Sequence, residues 1–132
     1  MIKEHNADVR LDIVAAGKEL LQKGLVAGTW GNISARIPGE EGRIAITPSG
    51  QDYRTLAKTE ITIIGINGDI FDGGQPSSEM PMHLAIYAGR PDIRAIVHTH
   101  SIFASACAVA RRPIPPVIED LVQLVGGQVE VA

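Results

Sequence analysis

The chain has 132 residues, 45% of them hydrophobic and only 4% aromatic, with a formal net charge of −3 at pH 7. That length suffices for one domain, residues 1–132, with a core built of Ile, Val, Leu and Ala. No basic run exceeds Arg111-Arg112 and no apolar stretch approaches a membrane span, so neither nucleic acid nor membrane is an expected partner.

The first residues, Met1 to Asn6, mix charges and lead into no continuous apolar segment, which argues against a secretory signal. His5 in this stretch is expected to have no role. Val9, Ile13, Ala16 and Leu20 recur at helical spacing and Gly24 supplies a stop, so residues 8–23 are expected to form an amphipathic helix. A glycine-rich turn, Gly28-Thr29-Trp30-Gly31-Asn32, follows. In it Trp30 either walls a pocket or anchors the loop to the core. Ile33–Ile37 and Arg43–Thr47 alternate across Pro38-Gly39-Glu40-Glu41-Gly42 as two strands of a hairpin. Ile61–Ile66 is a third strand, and Asn67-Gly68 turns it tightly into Ile70-Phe71. After the break Gly73-Gly74-Gln75-Pro76, a helix is expected to open at Ser77-Ser78-Glu79, to bury Met82 and Ile86 with Leu84 as a further candidate, and to end at Gly89.

Ala95-Ile96-Val97 runs into His98 and His100 as a strand, and a helix spans Ser101–Ala110. The lone cysteine, Cys107, excludes an intramolecular disulfide, fits a reducing cytoplasm and reads as a small core residue. The segment up to Gly126-Gly127 is less defined, and Gln128–Ala132 alternates like the opening of a strand, as though the sequence continued. Hairpins alternating with helices imply a mixed, largely antiparallel sheet with helices packed on it, an α/β architecture.

Residues i and i+2 of a strand share a face, so His98 and His100 would offer a metal two neutral nitrogens together. The plainer alternative is two polar residues at a strand end. Ser77, Ser78 and Glu79 at a helix start suit an anion such as phosphate, or simply cap the helix. Gly31-Asn32-Ile33-Ser34 and Thr47-Pro48-Ser49-Gly50 offer small donors with close backbone approach, or ordinary turn chemistry. None of these loops carries Lys or Arg, so a phosphate would be held by neutral donors. His83, four residues after Glu79, reads as an ordinary packed or exposed histidine in preference to a support for the site.

Taken in order, Gly31-Asn32-Ile33-Ser34, Ile46-Thr47-Pro48-Ser49-Gly50, Pro76-Ser77-Ser78-Glu79 and Val97-His98-Thr99-His100 resemble the class II aldolase/adducin family from about Asp8 to the chain end. The resemblance implies a three-layer α/β/α sandwich, a homotetramer, and zinc or another divalent cation held by His98 and His100, with Glu79 able to approach it. A third histidine ligand would lie beyond Ala132, so the 132 residues would lack the C-terminal part of the domain. Glu79 matches the family's catalytic base. Thr29, Gly31, Asn32, Ser49, Gly50, Ser77 and Ser78 match positions that bind substrate phosphate. The activity implied is aldol cleavage of a small phosphorylated ketose through a metal-stabilised enediolate.

Sugar-phosphate dehydration, epimerisation and a non-catalytic adducin-like interaction module are the alternatives. Within the resemblance, glutamate at position 79 disfavours the epimerases, which carry aspartate there. The tyrosine proton donor that some of the family's aldolases place before a Gly-Gly is not matched: Glu119-Asp120-Leu121 stands there, and Tyr53 and Tyr87 lie elsewhere. Glu119 and Asp120 read as a solvated or interface pair.

Overall fold

The computed structural model describes residues 8–132, so His5 lies outside the described residues. The chain divides into two compact units, Met1–Thr99 and His100–Ala132.

In the first unit, helix α1 (Val9–Gln22) starts where the Asp8 carboxylate accepts from the Arg10 N–H at 3.1 Å. Strands β1 (Asn32–Arg36), β2 (Arg43–Ile46), β3 (Thr62–Gly65), β4 (Ile70–Asp72) and β5 (Ala95–His98) form one sheet in the order β4-β3-β2-β1-β5. Every pairing in it is antiparallel, so the expected mixture of directions is absent among the described residues. A short 3-10 turn at Lys58–Glu60, not foreseen from the sequence, leads into β3. Helix α2 (Met80–Gly89) joins β4 to β5.

The strands alternate, and each face is claimed by a different helix. Ile13, Val14 and Leu20 of α1 pack with Ile33, Ala45 and Ile63. Ile44, Ile46 and Ile64, all at 0% exposure, pack with Tyr87, Met80 and Leu84 of α2. The first unit is thus the expected helix–sheet–helix sandwich. Burying each isoleucine contributes about 1.5–3 kcal/mol.

Helix α2 departs from its expected form in two ways. It opens at Met80, with Glu79 at its N-cap and Ser77 and Ser78 in the preceding turn. It buries His83 and Tyr87, while Met82 is exposed and Ile86 half-buried. The helical period holds, but the buried face places His83 and Tyr87 against Ser34 of β1 alongside the apolar contacts of Met80 and Leu84.

The second unit holds α3 (Ile102–Val109) and α4 (Glu119–Val125), the latter ended by Gly126 at φ 88°. Residues 128–132 form no strand. Val129 makes a single antiparallel bridge with Ile114. Cys107 is half-buried on α3, a helix with no buried residue, which corrects its reading as a core position. Among the described residues no helix is long and apolar enough to cross a membrane.

Candidate active site

Sheet register builds the site. Asn32 and His98 are direct partners across β1 and β5, so both project to the α2 side of the sheet. Gly31 permits this closeness: at φ 81°, a Cβ there would lie 2.6 Å from a Val26 methyl and 2.8 Å from the His98 carbonyl oxygen. The Tyr53 hydroxyl donates to the Gly31 carbonyl at 2.9 Å and fixes the turn from beneath.

The other wall is the segment entering α2. Gly73 at φ 89° passes so close to β3 that a Cβ would meet Thr62 Cα at 2.8 Å. Pro76 then bridges Pro48, Ser49 N–H donates to the Gln75 carbonyl, and Ser77 N–H donates to the Thr47 carbonyl, both at 3.0 Å. Thr47 in turn exchanges bonds with Ile33, its Oγ1 accepting from Ile33 N–H at 3.1 Å and its own N–H donating to the Ile33 carbonyl at 3.0 Å. Three loops that looked separate in the sequence are stitched together through Thr47, a residue whose buried role had no sequence signal of its own.

Glu79 emerges from this junction, its N–H held by Ser77 Oγ at 3.2 Å. Its Oε2 accepts from Asn32 Nδ2 and stands 3.6 Å from His98 Nε2. The two side chains are 40% and 28% exposed, open enough to reach a ligand. Zinc takes ligands at about 2.0–2.2 Å, so an imidazole nitrogen and a carboxylate oxygen at this separation can share one ion. The donor types also fit, since imidazole and carboxylate are ordinary zinc ligands.

Behind Glu79 lies a buried polar file with little local sequence signal of its own. His83, at 0% exposure, places Nε2 2.5 Å from Asn32 Oδ1 and Nδ1 2.7 Å from Ser34 Oγ. Ser34 Oγ is 2.9 Å from the Tyr87 hydroxyl. Arg36 closes the far end, with its guanidinium 4.6 Å from the Tyr87 ring centre and Nη2 donating to the Tyr87 carbonyl at 3.0 Å. Burial pushes the His83 imidazole below its ordinary value. Repulsion from His98 adds to the shift and Glu79 opposes it. Burial likewise raises the Tyr87 hydroxyl.

The remaining expected site residues are distributed as follows. Ser77 is buried, while Ser49, Gly50 and Ser78 are exposed on the stitched loops. Asn32 is 4% exposed with its amide between His83 and Glu79. Thr29 is exposed on the turn that Trp30 N–H closes on the Ala27 carbonyl. Trp30 is 63% exposed, so it does not anchor that turn in the core; Val26 and the Tyr53 bond do. Strand β5 ends at His98, and His100 is the first residue of the second unit, so strand alternation does not orient it. Glu119 and Asp120 form the exposed first turn of α4.

A helix–sheet–helix sandwich carries an acid and an imidazole that converge at the end of β5, donor types that could share a metal ion. The sequence model of the class II aldolase and adducin N-terminal domain matches residues 11–132, and the chain belongs to that family. It is 42% identical over 109 residues to a 5-deoxy-D-ribulose 1-phosphate aldolase of Bacillus thuringiensis serovar kurstaki, covering 82% of this chain and 51% of that protein. It is 39% identical over 108 residues to an L-ribulose-5-phosphate 4-epimerase of Salmonella paratyphi C, covering 81% and 47%. A solved L-fuculose 1-phosphate aldolase superposes with a TM-score of 0.77 at 40% identity, over 83% of this chain and 51% of that one. The chain therefore spans about half the length of the relatives it matches.

Proposed function

We propose that the chain carries the catalytic half-site of a metal-dependent aldolase that cleaves a small phosphorylated ketose. The observation that carries this reading is the convergence of Asn32 Nδ2 and His98 Nε2 on one oxygen of Glu79, at the mouth of three joined donor loops. The relatives' names support a sugar-phosphate substrate.

In this reading His98 and His100 hold zinc or a similar divalent cation, with Glu79 beside it. His100 follows His98 by two residues, so its Cα lies within about 7 Å of that of His98. A bound divalent cation supplies positive charge where the substrate's carbonyl oxygen becomes anionic. Glu79 moves the proton, and its partly exposed carboxylate is open to a reacting group while Asn32 holds Oε2 in place. Ser49, Gly50, Ser77, Ser78, Thr29 and Gly31 bind phosphate through hydroxyls and backbone N–H groups, with the second Asn32 amide hydrogen as a further donor.

Glutamate, not aspartate, at position 79 favours aldol cleavage or dehydration over epimerisation. The exposed Ile102, Phe103, Val109, Val117 and Leu124 of the second unit favour a covering surface, which we take to be that of a homotetramer, and the single cysteine, Cys107, favours the cytoplasm.

A panel of ketose 1-phosphates assayed for aldehyde release tests the reaction. Aldehyde is expected from the protein and not from Glu79→Gln. Loss of water without aldehyde would replace the aldolase by a dehydratase. Sugar-phosphate binding with neither product would favour the interaction module. Zinc content should fall in His98→Ala, and equal zinc in both proteins would remove the ligand assignment.

A further inference from the structure

The buried file from Tyr87 to Glu79 has a direction, and both of its ends dictate the same one. Asn32 presents its NH2 to Glu79 Oε2 as donor, and its Oδ1 faces His83. A carbonyl oxygen only accepts, so His83 carries its hydrogen on Nε2 and donates it to Asn32 Oδ1 across 2.5 Å. Nδ1 of a neutral imidazole is then an acceptor, and Ser34 donates to it across 2.7 Å. Ser34 Oγ is left to accept from the Tyr87 hydroxyl at 2.9 Å.

Working from Tyr87 gives the same result. Tyr87 is 1% exposed and its hydroxyl has Ser34 as its hydrogen-bond partner, so the hydroxyl hydrogen points toward Ser34. Reversing the file would leave that hydrogen buried without an acceptor, at a cost of about 1–3 kcal/mol.

The geometry assigns His83 as a positioning residue. As the neutral Nε2–H tautomer it locks the Asn32 amide, which keeps an N–H donor on Glu79 and prevents the amide from turning its oxygen toward the carboxylate. The lowered proton affinity that burial gives His83 agrees with the neutral form. A flipped Asn32 would set its oxygen against Glu79, repelling the charge and freeing the side chain to swing away. The catalytic consequence rests on the role proposed for Glu79, but the tautomer and the amide orientation do not.

The two layers separate by experiment. Long-range proton–nitrogen NMR on the labelled, metal-free chain, with His83 assigned through His83→Gln, is expected to show the Nε2–H tautomer at neutral pH. An Nδ1–H tautomer or a cationic ring would overturn the assignment, whatever the enzyme assay gives. On the phosphoketose substrate that proves active, His83→Leu, which cannot donate or accept, is expected to lower kcat by about 10- to 100-fold with a smaller change in KM. His83→Gln, which has an acceptor for Ser34 and a donor for Asn32, recovers most of that loss. Equal losses in the two variants would reduce His83 to packing. If no ketose phosphate is cleaved, the proposed activity fails while the NMR result still decides the tautomer. If His83→Leu does not fold, the unsubstituted chain's tautomer and the Ser34→Ala variant, expected to lower kcat in the same direction, carry the test.

Discussion

Burial keeps the His83 imidazole neutral below its ordinary value of 6.5, and that has a consequence for stability apart from any catalysis. Below about pH 6.5 the unfolded chain takes up a proton at this position that the folded chain does not, so stability falls as pH drops. The loss begins near the unfolded value and levels off once pH lies below the folded one. Urea unfolding should therefore show a midpoint that declines between about pH 7 and pH 5, and His83→Gln should flatten that part of the profile. Parallel declines in both proteins would place the responsible group elsewhere. The residue was visible in the sequence as a histidine on the Glu79 face of α2, but its burial was not. Helical spacing says which residues share a face. Here that face met Asn32 and Ser34, the polar side of β1, which made a polar helix face a buried one.

At the level of elements, local chemistry was legible and long-range pairing was not. The stop at Gly24, the hairpin turns and the stop at Gly89 follow from short-range rules, and α1, β1 to β4 and the end of α2 lie close to where those rules put them. The site's decisive contact is the pairing of Asn32 with His98, made by strands far apart in the chain, and no local pattern encodes it. The histidine spacing suggested one strand carrying both residues, whereas β5 stops at His98. Gly31 shows what the pairing demands. Gly31→Ala adds a methyl where 2.6 Å and 2.8 Å separate it from Val26 and the His98 carbonyl, at a φ that L side chains rarely adopt. Its cost should be about 2–4 kcal/mol, read as a lower urea midpoint. Gly39→Ala, also at positive φ but with open space around it, should cost less, about 1 kcal/mol, because only the backbone strain remains. Equal costs would mean that the approach of the turn to β5 is not tight. On the α2 side of the sheet, Ile44→Ala should cost about 2–5 kcal/mol, since the site is fully buried between sheet and helix.

For the molecule as a whole, relatedness identifies the family without choosing the reaction. An aldolase at 42% identity and an epimerase at 39% are too alike in distance to separate the two chemistries. Both proteins also extend well past the matched region. A direct physical readout of the metal site does not depend on knowing the reaction. A ligand that binds only the folded chain stabilises it by mass action, about 2.7 kcal/mol at a hundredfold excess over Kd. For a chain of this size that corresponds to a rise of roughly 8–15 °C in Tm. Zinc added to chelator-treated protein should raise Tm on that scale, and His98→Ala or Glu79→Gln should lose most of the rise, because each removes one of two donors that already face each other at 3.6 Å. Magnesium at the same concentration should do far less, since it prefers a shell of oxygens and gives up water reluctantly. A zinc-dependent rise that survives both substitutions would locate the ion away from Glu79 and His98, and the aldolase reading would lose its charge-stabilising centre.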